Sequence, residues 1–174
     1  MYKLNGVMYS TEEIKSKVKE IAKQIEKDYA GEELLVVGIL KGASVFCADL
    51  IREINLDVNM DFMVVSSYGN GTNSSGTVKI IKDLDVNIEN KNVLIVEDII
   101  DSGLTLSSLV AALKTRNPKS LKICTLLDKP ERRTANIEVD YVGYVIEDKF
   151  IVGYGIDYAE KYRNLPYIGI VEDV

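Results

Sequence analysis

Val93-Leu94-Ile95-Val96-Glu97-Asp98-Ile99-Ile100-Asp101-Ser102-Gly103-Leu104-Thr105 is the stretch on which the reading of the fold turns. Its opening run is short, aliphatic on both faces and rich in branched residues, as a strand buried inside a parallel sheet would be. A strand over residues 92–97 delivers two adjacent acids to its carboxyl end. Asp101, Ser102, Gly103 and Thr105 then form a small polar turn, after which Leu106, Leu109, Val110 and Leu113 recur at helical spacing, with Pro118 beyond the helix end. Free amides and the dipole at a helix N-terminus favour a phosphate, and the two hydroxyls add hydrogen bonds. Leu104 stands where a Walker-type loop would offer a lysine, so a phosphomonoester fits better than a nucleoside triphosphate.

Outward from that stretch, helices and strands alternate. Ser10 and Glu13 form a capping box ahead of Ile14, Val18, Ile21 and Ile25, and Gly31 is a plausible stop. Residues 34–40 are a second buried strand, followed by a short helix over 43–53. A strand over 58–67 has a hairpin partner over 78–82. Between them Tyr68 to Gly76 is a long Gly/Asn/Ser-rich loop, either a mobile lid or a surface turn. Further strands are expected over 121–127, 141–146 and 167–171. This order implies an α/β fold with a mostly parallel sheet, whose ligands bind beyond the carboxyl ends of the strands.

Composition narrows the chemistry. The 174 residues suit one domain, expected over 1–174, with no repeat or composition shift to divide it. There is no histidine, which removes Ser-His-Asp and Cys-His catalysis and histidine-containing zinc sites. Acids outnumber bases by 27 to 21, for a net charge of -6, the wrong sign for a nonspecific nucleic-acid binder. Cys47 and Cys124 each lie in apolar runs and read as reduced core residues. No apolar run approaches the roughly 20 residues of a membrane span, and no signal-peptide core follows Met1, so a soluble cytoplasmic protein is expected.

Glu97 through Thr105 resembles the phosphoribosyl-pyrophosphate (PRPP) motif of phosphoribosyltransferases, and its Glu-Asp opening resembles the hypoxanthine-guanine branch in particular. Other segments match in order along the whole chain. Leu40-Lys41-Gly42 is similar to the family's pyrophosphate loop, Ser67-Tyr68 opens a loop similar to its lid, and Lys129 with Arg132 and Arg133 is similar to its base-recognition region. The run from Asp148 to Tyr158, with Arg163 beyond, is similar to its purine-binding hood. The resemblance implies a type I phosphoribosyltransferase fold, a mostly parallel central sheet flanked by helices with a small hood built from both chain ends. It implies transfer of the phosphoribosyl group from PRPP to a 6-oxopurine, hypoxanthine and guanine, giving IMP and GMP with pyrophosphate. It also implies Mg2+ as cofactor, a homodimer or homotetramer, and neither a nucleic-acid nor a membrane partner.

Residue by residue, the resemblance makes Asp101 the general base at purine N7. Glu97 and Asp98 engage Mg2+ beside the ribose, with Asp157 at a second ion. Ser102, Gly103, Leu104 and Thr105 hold the 5′-phosphate. Lys41, Gly42 and Arg163 meet pyrophosphate, with a non-proline cis peptide at Leu40-Lys41. Lys129 donates to the purine's exocyclic oxygen, Phe150 stacks on the base, the main chain of Ile151 reads its edge, and Ser67 with Tyr68 closes over the centre. Each residue also has a plainer reading. The acid pair can be solvated, Asp101 can cap the helix, and Lys41-Gly42 can be a turn. Lys129 can be surface, Phe150 can be core, and Arg163 can pair with Glu160. Two rivals stand beside this one: a sister enzyme preferring xanthine, and a regulator that keeps the fold to sense PRPP and binds nucleic acid.

Overall fold

A computed structural model of the chain describes residues 2–67 and 78–173. Its elements in chain order are β1 (Tyr2–Tyr9), α1 (Thr11–Asp28), β2 (Leu34–Ile39), α2 (Ser44–Glu53), β3 (Val58–Ser67), β4 (Val78–Lys82) and β5 (Asn92–Ile100). There follow α3 (Leu104–Lys114), β6 (Ser120–Asp128), a 3-10 turn (Pro130–Arg132), β7 (Tyr141–Val145), β8 (Ile151–Val152) and β9 (Ile168–Asp173).

The central sheet has six strands in the order β4-β3-β2-β5-β6-β7. Pairings among β3, β2, β5, β6 and β7 are parallel, and β4 alone runs antiparallel, as the hairpin partner of β3. Alternate residues of the inner strands feed two apolar layers. Val36, Leu94 and Val96 join α1 and α2 on one face, while Val37, Ile95 and Val93 join Leu106, Leu109 and Leu113 of α3 on the other. Both faces being covered is what a parallel sheet requires, and it accounts for the unbroken aliphatic runs of β2 and β5.

The expected capping box is formed: the Glu13 amide donates to Ser10 Oγ at 3.2 Å, and the Ser10 amide donates to Glu13 Oε2 at 2.8 Å. Cys47 and Cys124 are free and buried in the α1–α2 layer, and burial pushes the Cys47 thiol up to about 11. Besides the short β8, which the sequence reading does not contain, two longer elements depart from it. β5 runs on past the acid pair, because Ile99 and Ile100 pair with Leu127 and Asp128 of β6. Residues 2–9 form a strand that was not anticipated, because their pattern is broken by Asn5-Gly6, with Gly6 at φ +95°. This β1 pairs antiparallel with β9, which pairs with β8, giving a second sheet in the order β1-β9-β8 built from both chain ends.

Strand order reverses between β2 and β5: the chain passes from β2 outward to β3 and β4, then returns to the other side of β2 as β5. Loops leaving the carboxyl ends of the two strands at such a point diverge and leave a crevice.

Candidate active site

The β2 loop and the β5 loop flank that crevice. Leu40-Lys41 is a cis peptide, as the resemblance implied. At Gly42 the two loops come so close that a Cβ would lie inside the Asp98 carboxylate. Any larger residue there would have to displace that carboxylate.

Beyond Asp98 the chain turns into α3. Gly103 is at φ +76°, a left-handed conformation that suits glycine, and a Cβ there would press on the Arg133 side chain at 3.0 Å. The Leu104 amide donates to Ser102 Oγ at 3.4 Å. The Ser102 carbonyl accepts from the amides of Thr134 and Ala135, both at 3.0 Å, so the segment after β6 braces the turn from outside. Arg133 adds to the brace by donating from Nε to the Asp101 carbonyl at 3.2 Å and by pairing with Asp128. Glu97, Asp101, Ser102, Gly103 and Thr105 line one cavity of about 160 Å³ at the start of α3.

Alternation along β5 sends Glu97 towards α3 and Asp98 towards Gly42. Loss of surrounding water pushes both carboxyls up, Glu97 well above the ordinary carboxylate range with Asp98 adding to the rise, and Asp98 to about 6. Bonds from backbone amides and the Arg163 charge oppose the rise at Asp98. A divalent cation would favour the ionised form of both, so the pair fits the expected metal. Among the described residues no cluster of three or more ligating side chains occurs. Mg2+ commonly takes one or two carboxylates and completes its shell with substrate oxygens and water. Asp101 differs from its neighbours, with its side chain 51% exposed at the cavity mouth.

Lys129 reverses the surface reading of its sequence context, with only 7% of its side chain exposed. Its Nζ donates to the Lys149 carbonyl at 2.7 Å and stands 3.4 Å from Asp148 Oδ1 and 3.7 Å from Asp101 Oδ1. Phe150 is 60% exposed, so it is not core, and its ring meets Tyr158 edge-on at 6.0 Å. Ile151 is buried and pairs through its backbone in β8 with Ile170.

On the remaining side a run of left-handed residues, Gly153, Tyr154, Gly155, Ala159, Glu160 and Tyr162, folds the segment before Arg163 into tight turns. A Cβ at Gly155 would strike the Gly42 carbonyl. Arg163 donates from Nη1 to the Gly155 carbonyl at 2.8 Å and pairs through Nη2 with Asp157 at 3.0 Å and Glu160 at 3.4 Å. Lys41 pairs with Glu160 at 2.9 Å. Ser67 ends β3, and Tyr68 lies outside the described residues.

A sequence profile described as "Phosphoribosyl transferase domain" matches residues 8–159, most of the chain and every loop just described except the one carrying Glu160 and Arg163. The chain belongs to the phosphoribosyltransferase family. Among solved phosphoribosyltransferase structures it is similar to a hypoxanthine-guanine phosphoribosyltransferase of Bacillus anthracis, with TM-score 0.94 and 54% identity over 99% of this chain and 100% of that one. The hypoxanthine-guanine phosphoribosyltransferase of Bacillus subtilis is 56% identical over 97% of this chain and 94% of its own length. The bifunctional protein TilS/HprT of Listeria monocytogenes is 55% identical over 97% of this chain, which spans only 26% of that protein.

For a phosphoribosyltransferase of this kind, the contacts most easily missed in sequence are those of the supporting acids. Asp148 holds both Lys129 and Arg132, and Glu160 touches Lys41 as well as Arg163. Asp148 opens a segment matched by the resemblance and Glu160 lies just beyond it, but nothing in their spacing announces partners 19 or 119 residues away.

Proposed function

We propose that the chain, acting as a single domain over 1–174, transfers the phosphoribosyl group of PRPP to hypoxanthine and guanine, forming IMP and GMP and releasing pyrophosphate. The observation that carries this reading is Lys129 Nζ at 3.7 Å from Asp101 Oδ1. A 6-oxopurine presents O6 and N7 side by side on one edge, whereas adenine carries a donor amine in place of O6. An ammonium donating to O6 beside a carboxylate accepting from N7–H matches the first pattern and opposes the second.

In the reaction so read, N9 bonds to the ribose C1′ while the bond from C1′ to the pyrophosphate oxygen breaks, its electron pair leaving with pyrophosphate. Asp101 accepts the N7 proton as positive charge builds on the purine. The turn from Ser102 to Thr105 holds the 5′-phosphate at the start of α3, where amides face the ligand. Lys41, Gly42 and Arg163 receive pyrophosphate, for which a guanidinium fork is well shaped. Phe150 lies against the base, and the backbone of Ile151 reads its edge. Magnesium held by Glu97 and Asp98, and on the pyrophosphate side by Asp157, would neutralise phosphate charge and ease departure of the leaving group. On the same reading the protein is a cytoplasmic homodimer or homotetramer that takes small-molecule partners and no nucleic acid. Among the described residues no helix is long and apolar enough to cross a membrane.

The test is nucleotide formation from PRPP and Mg2+ with hypoxanthine, guanine, xanthine and adenine in parallel. Hypoxanthine and guanine are expected to react and adenine to be refused. Asp101→Asn is expected to lower kcat by about 10²–10⁴-fold, the usual worth of a positioned base, while still binding IMP. Reaction with xanthine alone would move the substrate. PRPP binding with no turnover of any base would replace the enzyme by a sensor.

A further inference from the structure

We propose that Glu160 is an internal stand-in for pyrophosphate: its carboxylate bridges the two cations expected to receive the leaving group and must give way when substrate binds. The inference rests on the pyrophosphate side of the site as read above and goes beyond it by assigning a specific role to an acid. Glu160 Oε2 lies 2.9 Å from Lys41 Nζ and Oε1 lies 3.4 Å from Arg163 Nη2. One oxygen thus goes to each cation, as two oxygens of a phosphate group would.

The placing of this carboxylate is held by its backbone. Glu160 sits at φ +62°, with Ala159 at +49° and Tyr162 at +74°, a run of non-glycine residues in a region that such residues rarely enter. Its amide donates to Asp157 Oδ2 at 2.7 Å. The side chain, by contrast, is 66% exposed, so it can swing into water without unfolding anything. Arg163 keeps its position without Glu160, because Gly155 and Asp157 hold the same guanidinium. Its Nε is buried and has no partner among the described residues, a donor left over for an incoming anion. Asp157 and Glu160 balance the charges of Lys41 and Arg163. Arrival of a polyanion unbalances the set, and release of Glu160 from both cations restores it. Its return then displaces pyrophosphate after the reaction, so Glu160 trades affinity for PRPP against release of product.

Titration calorimetry with PRPP and with inorganic pyrophosphate, each with Mg2+, tests this on the wild-type protein and Glu160→Gln. Exposed ion pairs of this type are weak, so both Kd values are expected to fall by about two- to five-fold, with the KM for hypoxanthine unchanged. In a Lys41→Met background the same substitution should gain less, because one of the two contacts is already gone. Glu160→Asp, which withdraws the carboxylate by one methylene, should lie between wild type and Gln, and it serves in place of Gln if that variant melts early. Unchanged or weaker binding of both ligands by the folded variants would overturn the proposal and leave the function intact. Failure of the wild-type protein to bind either ligand would remove the function, and this inference with it.

Discussion

Glu97 and Asp98 are held where water is scarce and each is the other's neighbour, an arrangement that costs stability whenever both are charged and no cation is present. The Asp98 carboxyl ionises at a higher pH in the fold than in the unfolded chain, so the native state keeps its proton longer. Its contribution to stability is therefore full below about pH 4 and is lost as the pH rises through about 6. Asp98→Asn, in which Oδ1 can still accept from the Ile99 amide, should melt close to wild type near pH 4. At pH 8 with a chelator present it should melt higher by about 6–12 °C, and it should be inactive. Thermal melts at the two pH values decide it, and an equal shift at both would remove the titration argument. Residue by residue, legibility was uneven. The acid pair could be found because an apolar strand led into it and a phosphate-type turn led out. Lys129 could not be distinguished from a surface lysine in Asp128-Lys129-Pro130-Glu131, because its burial is made by Asp148 and the Lys149 carbonyl, which only the folded chain brings near. For Phe150 the exposure removes the core alternative and leaves the ring free to meet a base, a distinction that an aromatic between Lys149 and Ile151 does not show locally.

At the scale of elements, the start of α3 is where local conformation and ligand binding coincide. Gly103 must be left-handed there and must leave room for Arg133. Gly103→Ala should destabilise the fold by about 1–2 kcal/mol from the conformation alone. It should also raise the KM for PRPP more than that for the purine, because the displaced turn is the one read as holding the 5′-phosphate. Steady-state kinetics in both substrates distinguish this from a general loss, and equal changes in both KM values would count against the phosphate reading. The strands and helices around this turn were largely visible in advance, because binary pattern and capping agree with the final structure at α1, β2, β3, β4 and α3. β5 ran long because its end is set by pairing with β6 rather than by its own residues, and β1 was invisible because its partner β9 lies at the far end of the chain. Long-range pairing, not local preference, is what such elements depend on.

For the molecule as a whole, strand order does what no single residue can. It sets the β2 and β5 loops on either side of one crevice, with helices closing both faces of the sheet beneath them. Only the second sheet departs from this plan, and it joins the opposite ends of the chain: Tyr2 is in register with Asp173, and Leu4 with Val171. Topologically the polypeptide is therefore almost a closed ring, cut at a place where the ends are already held together. A permutant that links residues 2 and 173 through a short Gly/Ser bridge and opens between Val86 and Asn87, both exposed, should fold and retain nucleotide formation within about tenfold. Deleting residues 2–9 without such a bridge should do greater harm, despite removing none of the residues assigned to the chemistry, because β9 would keep only the two-residue β8 beside it. Where the chain is severed matters less than whether its two ends still meet.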